Sequence, residues 1–476
     1  MRRLLALALL FPATGLAQVS ELPDSISRRI DSVFTRYDRT VSPGCALGVY
    51  RDGKMVYSRG YGMANLEHGI AISPRTVFDI GSTSKQFTAA AIVLLAQDGK
   101  LSIDDDVRKH IPELPQYQKP ITIRHLLNHS SGLRDYLTLM SLRGVNFDGV
   151  TTDKDAFDLI VRQKALNFEP GSDYLYSNSG FFLLSTIVKR TSGQSLAQFA
   201  HERLFTPLGM HDTHFHDDHT RIVPMRATGY GPSRNGMFEI AMSGFEQTGD
   251  GAVMTTIEDL LKWDNNFYAP KVGGERLLSD LHTQGVLTTG RKLDYALGLM
   301  VDAHRGLRRV RHGGSWAGYR ADLVRFPEAK TSVACLCNLG TANPSALADR
   351  VAEVVLAGRL GPATVAPAGS PDGAAAGAGG TPAPSTGAYK PTAGELQQFA
   401  GTYFAPELDA TFVVAADSAG LRVTLQSGDT QTLPPISRDT FGQRGLSIVF
   451  GRDGSGRPAR MTINAGRVRG IVAERR

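Results

Sequence analysis

The stretch Phe78-Asp79-Ile80-Gly81-Ser82-Thr83-Ser84-Lys85, followed by the apolar run Phe87 to Leu95, decides how the rest of this 476-residue chain is read. A serine hydroxyl is a poor nucleophile at neutral pH unless a base sits within hydrogen-bond reach of its Oγ. Residues three apart on a helix share a face, so a helix over residues 82–97 sets the Lys85 amine beside the Ser82 hydroxyl. The N-terminus of that helix also favours a developing anion. A Ser-x-x-Lys string recurs by chance in long chains, so its meaning depends on what accompanies it.

Two further stretches supply the company. Glu169 to Gly180 is a polar turn running into a helix, and it contains Tyr176-Ser177-Asn178, a phenol able to relay a proton and an amide able to hold an acyl amide. Downstream, the strand Arg308 to His312 ends in His312-Gly313-Gly314-Ser315, where glycines allow close approach of a substrate backbone.

The order and context of these three motifs resemble the serine β-lactamase and penicillin-binding protein superfamily. The likeness is to its class C-like branch with D-aminopeptidases and family VIII esterases, and it covers about residues 30–355. The stretches Asp98 to Asp105, Ile121 to Leu133 and Pro207-Leu208-Gly209-Met210 look like this branch too. The resemblance implies that Ser82 is acylated, Lys85 takes its proton, and Tyr176 relays protons to the leaving group and the deacylating water. It further implies that Asn178 binds the acyl side chain, and that the backbone N–H groups of Ser82 and Ser315 form an oxyanion hole beside Gly314. His312 stands where β-lactamases and DD-peptidases commonly carry a lysine. A neutral imidazole is a weaker partner for a substrate carboxylate than an ammonium, which shifts the expectation toward esterase or aminopeptidase chemistry.

The fold class expected is α/β: a β-lactamase/transpeptidase-like antiparallel sheet flanked by helices, with an inserted helical lobe and a small C-terminal antiparallel β-barrel. Hairpin signals bracket the hydrolase segment. Cys45 to Tyr50 and Met55 to Gly60 flank the turn Arg51-Asp52-Gly53-Lys54, and Ala321 to Phe326 and Thr331 to Cys337 flank Pro327 to Lys330. Strands at both ends imply one sheet built from both. Helical patterns lie between, over 122–128, 157–165, 180–190, 196–204 and 257–267.

Four segments are expected: a signal peptide over 1–17, the hydrolase over 18–360, an Ala/Gly/Pro-rich linker over 361–391, and a lipocalin-like barrel over 392–476. The leader carries Arg2 and Arg3, the apolar run Leu4 to Phe11, and small residues at Gly15-Leu16-Ala17. That run is too short to span a membrane, so a periplasmic or secreted protein is expected. In the linker, Asp372 is the only acid and Lys390 the only base. Beyond it, Thr411 to Val414, Leu421 to Leu425, Leu446 to Phe450 and Arg460 to Ile463 are short strand candidates. From its place after the linker, the barrel is expected to shield or shape the cleft.

With 42% hydrophobic and 21% charged residues the chain is globular, and its formal charge of +6 is a mild bias. Basic residues are not interleaved with aromatics as nucleic-acid binding requires, so the partners expected are a small-molecule or peptide substrate (a D-amino acid peptide, β-lactam or ester), no nucleic acid and no membrane span. Arg308, Arg309 and Arg311 read as a solvated strand edge or as an attractor for an anionic substrate. Three cysteines cannot make a disulfide framework. Cys335 and Cys337 share a strand face, Cys45 could bridge one of them, and buried free thiols are the expectation.

Two alternatives compete with an active serine hydrolase. One is a slowly deacylating penicillin- or peptidoglycan-binding sensor. The other is a zinc hydrolase, because His214-Phe215-His216-Asp217-Asp218-His219 matches the H-x-H-x-D-H string of metallo-β-lactamases and His211 lies close by. The string's polar setting after Pro207 to Met210 favours an ordinary surface connection, so no metal and no cofactor are expected. An α/β-hydrolase is disfavoured, since no G-x-S-x-G string occurs.

Overall fold

A computed structural model describes residues 19–233, 235–362, 389–443 and 445–476. The expected leader and residues 363–388 of the expected linker lie outside the described residues.

The central sheet follows from the hairpins read above. It is antiparallel throughout, in the order Val19–Ser20, Lys54–Tyr61, Cys45–Arg51, Thr331–Cys337, Tyr319–Phe326, Leu307–Trp316, Met300–His304. The N-terminal hairpin joins the C-terminal strands through Cys45–Arg51 against Thr331–Cys337. Both strands are buried along nearly their whole length, which requires apolar side chains on both faces. Cys45, Leu47, Val49, Val333, Cys335 and Cys337 pack on one side with helices Asp24–Phe34 and Pro344–Val355. Ala46, Tyr50, Ala334 and Leu336 face the helical lobe on the other.

The helix Lys85–Gln97 is the axis of that lobe. Every residue from Lys85 to Leu95 is buried, which its all-round apolar sequence demands. Its first turn, Gly81–Ser84, is a 3₁₀ turn, so the α-helix proper begins at Lys85 rather than at Ser82. The helix expected over 157–165 instead spans Asp153–Val161, because Thr152 and Asp155 form a capping box that starts it earlier.

Nine antiparallel strands between Gly401 and Arg475 curl into a nearly closed barrel, ordered Thr430–Leu433, Gly420–Thr424, Ala410–Asp417, Gly401–Ala405, Val468–Arg475, Pro458–Ala465, Leu446–Arg452, Thr440–Gln443, Pro435–Ser437. Phe441 packs edge to face against Phe399 and Phe450 in its core, and Phe399 and Phe450 are tilted on each other. The barrel is docked on the helical lobe. The buried Arg134 guanidinium donates to Glu407 Oε1 at 2.8 Å and to the carbonyls of Arg469 and Gly470, each at 2.9 Å. Gln163 and the Lys164 amide donate to Glu407 from the same side. No described helix is long and apolar enough to cross a membrane.

Two expectations are corrected here. Cys45 and Cys337 form a disulfide, because the strand register places them directly opposite, and Cys335 alone is a buried free thiol. Arg309 and Arg311 are neither a solvated edge nor a substrate attractor. They are buried in an ion-pair network in which Arg309 meets Asp302 and Asp349, and Arg311 meets Asp322 and Asp349. Only Arg308 is exposed.

The disulfide joins residues 292 apart in sequence and so restricts the unfolded chain strongly. Replacing Cys45 with Ser should lower stability by about 2–5 kcal/mol, read as a fall in the thermal midpoint. Thiol counting in denaturant should find one reactive group before reduction and three after.

Candidate active site

Ser82 sits on the 3₁₀ turn that feeds the buried helix, and the strand Leu307–Trp316 lies across it. The contact is made by backbone. Gly81 has φ +49°, and a Cβ there would come 2.7 Å from the Ser315 amide nitrogen. A Cβ on Gly314 would come 1.8 Å from the Ile80 carbonyl oxygen. The Thr83 hydroxyl donates to the His312 carbonyl at 3.0 Å, and Asp79 Oδ1 accepts from the Gly81 amide at 2.7 Å. Two glycines are therefore required where turn and strand touch, and they bring the Ser315 N–H alongside the Ser82 turn.

Lys85 is 0% exposed. Its Nζ lies 3.1 Å from Ser82 Oγ and 3.0 Å from Asn178 Oδ1, and it donates a short hydrogen bond to the Asp250 carbonyl. Burial brings its pKa down to about 7; the Asp250 carboxylate opposes that fall and the Arg467 guanidinium adds to it. Burial also raises Asp250, whose carboxyl accepts from the Tyr136 hydroxyl at 3.1 Å. An amine with a pKa near neutral pH, within reach of a serine, can serve as a general base.

Tyr176 stands over the pair, with Lys85 Nζ 4.9 Å from its ring centroid. Its hydroxyl is buried and makes no hydrogen bond of good geometry among the described residues. Burial drives the phenol well above its ordinary range, and the neighbouring Ser82 hydroxyl offsets part of the rise. The phenol thus stays protonated, which suits it to hand on a proton rather than to act as the initial base.

Asn178 opens the helix Asn178–Ser192. Its amide donates to Asp135 Oδ2 at 2.7 Å while its side-chain oxygen is taken by Lys85, leaving Nδ2 for a substrate. The His312 imidazole is buried. Its Nε2 lies 2.8 Å from the Tyr295 hydroxyl, its Nδ1 lies 2.7 Å from the Gly313 carbonyl, and burial followed by the charge of Lys85 lowers its pKa to about 4. It is a neutral strut whose ring nitrogens are both occupied. Beside it, the backbone of Gly314 and Ser315 lies against the Ile80–Gly81 turn.

The structure thus gathers Ser82, Lys85, Tyr176, Asn178, His312, Gly314 and Ser315 in one place. It adds Asp135, Tyr136, Asp250, Tyr295, Arg467 and His129. The His129 ring packs 4.0 Å from that of Tyr176, and its Nδ1 accepts from the Ser177 amide at 3.1 Å. In the sequence His129 is marked only by lying within the family-like stretch Ile121 to Leu133. The others carry no local signature.

The histidine string is divided. His214 and His216 face each other, Nε2 to Nδ1, at 3.3 Å, and burial lowers both pKa values. His219 turns instead to Glu246 at 2.7 Å. Asp218, His219 and Glu246 lie close enough together to share an ion, but His214 and His216 are not part of that group. The string does not converge as the metallo-β-lactamase pattern requires.

Residues 30–358 match the family model described as Beta-lactamase, well over half of the chain. The chain belongs to the beta-lactamase family. It is 30% identical over 320 residues to a D-aminopeptidase of Gluconobacter oxydans, covering 67% of this chain and 60% of that protein. It is 28% identical over 439 residues to a D-aminopeptidase of Cereibacter sphaeroides, covering 91% of this chain and 76% of that one. The octameric penicillin-binding protein homologue from Pyrococcus abyssi superposes with a TM-score of 0.63 at 23% identity over 94% of this chain and 99% of its own, which shows the shared fold, barrel included.

If Lys85 is the base, protonating it removes the proton acceptor. Labelling of Ser82 by a fluorophosphonate should be slow below the Lys85 pKa, rise with pH through about 7 and level off above it. The second-order labelling rate across pH 5 to 9 checks this; a flat profile would exclude Lys85 as base.

Proposed function

We propose that this chain is an exported serine hydrolase that cleaves amide or ester bonds, including those next to D-amino acids, through an acyl-enzyme on Ser82. The observation that carries the reading is the 3.1 Å contact between Ser82 Oγ and a fully buried Lys85 whose pKa is depressed. The names of its D-aminopeptidase relatives support the bond class. Export is supported by the composition of residues 1–17 and by the Cys45–Cys337 disulfide, which suits an oxidising compartment.

In this reading Lys85 Nζ takes the Ser82 proton as Oγ attacks the substrate carbonyl. The resulting oxyanion is held by the N–H groups of Ser82 and Ser315, each worth a few kcal/mol in the transition state. Collapse breaks the scissile bond, and the departing amine or alkoxide takes its proton from Lys85 by way of the Tyr176 hydroxyl. A water then gives up a proton along the same path, attacks the ester and frees Ser82. Asn178 aligns Lys85 through Oδ1 and offers Nδ2 to the acyl group.

Ser82→Ala should abolish covalent labelling. Lys85→Ala should lower kcat/KM by about 10²–10⁴, and Tyr176→Phe should slow amide substrates more than p-nitrophenyl esters, whose leaving group needs no proton. Undiminished labelling of the Ser82→Ala protein refutes the proposal. A single burst without turnover on D-alanyl-p-nitroanilide, p-nitrophenyl butyrate and nitrocefin alike would assign a slowly deacylating sensor instead.

A further inference from the structure

The barrel reaches the catalytic residues through one hairpin. Between the strands Pro458–Ala465 and Val468–Arg475 the chain turns at Gly466, whose φ is +50°, and Arg467. The turn is clamped by the hydrolase lobe. Asn167 Nδ2 donates to the Arg467 carbonyl at 2.9 Å and Asn167 Oδ1 accepts from the Arg469 amide at 2.8 Å. Arg134 donates to the carbonyls of Arg469 and Gly470. Backbone groups of residues 467, 469 and 470 are thus pinned by two side chains, and Val468 between them is wholly buried.

That clamp fixes where the Arg467 side chain goes. The residue is 8% exposed, and its guanidinium carbon lies 4.7 Å from the centroid of the Tyr176 ring. Its nearest carboxylate among the described residues is Asp135 at 3.5 Å, longer than a charge-assisted hydrogen bond of about 2.7–2.9 Å. Asp135 is already engaged, since it accepts from the Asn178 amide, the Thr138 amide and the Thr138 hydroxyl. The guanidinium donates no side-chain hydrogen bond among the described residues, although it carries five N–H donors in a planar fork that matches a carboxylate.

Four basic side chains surround the Tyr176 ring: Lys85, His129, His312 and Arg467. Burial holds both imidazoles neutral and brings Lys85 close to neutrality. An arginine keeps its charge under all these conditions. The cleft therefore contains one permanent cation, and it comes from the barrel. It stands beside the Asn178 helix start, on the side where the acyl group is expected to lie.

We propose that Arg467, carried into the cleft by the barrel hairpin, is a specificity-determining residue that receives a carboxylate borne by the acyl portion of the substrate, so that acidic substrates are favoured over those with a free ammonium there. The proposal builds on the acyl-enzyme reading above. It also separates this chain's substrate from one presenting an α-amino group, which Arg467 would repel.

The test uses the full chain and three matched probes: N-succinyl-D-alanyl-p-nitroanilide (anionic), N-acetyl-D-alanyl-p-nitroanilide (neutral) and D-alanyl-p-nitroanilide (free ammonium). The wild type should order them succinyl, acetyl, free amine by kcat/KM. Arg467→Ala should lower the succinyl-to-acetyl ratio at least tenfold, chiefly through KM. Arg467→Lys should restore part of that ratio, and Arg467→Glu should turn the preference toward the free amine. A parallel fall on all three probes, or an unchanged ratio, would overturn the proposal and leave Arg467 a support for Tyr176. A wild-type preference for the free amine would overturn it with no variant needed. Fluorophosphonate labelling separates the two levels: an unlabelled wild type defeats the acyl-enzyme reading and this inference together, whereas a labelled wild type without charge preference defeats this inference alone.

Discussion

Burying an amine is costly, and the site is organised around that cost. Lys85 begins a helix that is enclosed on every side, so its Nζ has no water to solvate a positive charge. Two oxygen acceptors, Asn178 Oδ1 and the Asp250 carbonyl, favour the ammonium, yet burial outweighs the charged groups around it and the amine is left near neutrality. The acceptors fix where the amine points, and burial fixes its proton affinity. Were the helix on the surface, the same tetrad would carry a solvated ammonium of ordinary pKa and an unactivated serine.

Enclosing the helix requires the sheet, and here side chains give way to backbone. The strand Leu307–Trp316 approaches the Gly81–Ser84 turn so closely that the Ser315 amide nitrogen lies beside Gly81. A methyl group at Gly314 would sit almost on the Ile80 carbonyl. The glycine is thus a condition of the close approach between turn and strand. His312 links Tyr295 to the Gly313 carbonyl while its own carbonyl receives Thr83.

What the sequence revealed was whatever is local or periodic. The Ser82–Lys85 spacing, the Tyr176–Asn178 turn before a helix, the glycines after His312, and hairpins at both ends of one sheet are short-range patterns, and each appears in the structure close to its expected bounds. Features that depend on register or on distant partners were not legible. Cys45 meets Cys337 because two strands nearly 300 residues apart pair in one register and not its neighbour. Arg309 and Arg311 look like a surface charge cluster until Asp349, from a later helix, is brought against them. Asp135 and Asp250 shape the charge around Lys85, yet each reads as an ordinary loop acid in the sequence.

The barrel extends the same logic across the molecule. Arg134 and Glu407 form a buried pair between the lobe and the barrel, and removing either partner would strand a charge in a medium that solvates it poorly. Breaking that interface also withdraws Arg467, whose charge disfavours protonation of Lys85 and whose stacking covers Tyr176. Docking of the barrel and the proton affinity of Lys85 are therefore linked through one arginine. The effect on Lys85 does not involve substrate, because a fixed positive charge in the same cleft acts on the free enzyme as well. The barrel thus packs its hairpin against Tyr176, although an Ala/Gly/Pro-rich stretch separates it from the hydrolase segment in the sequence.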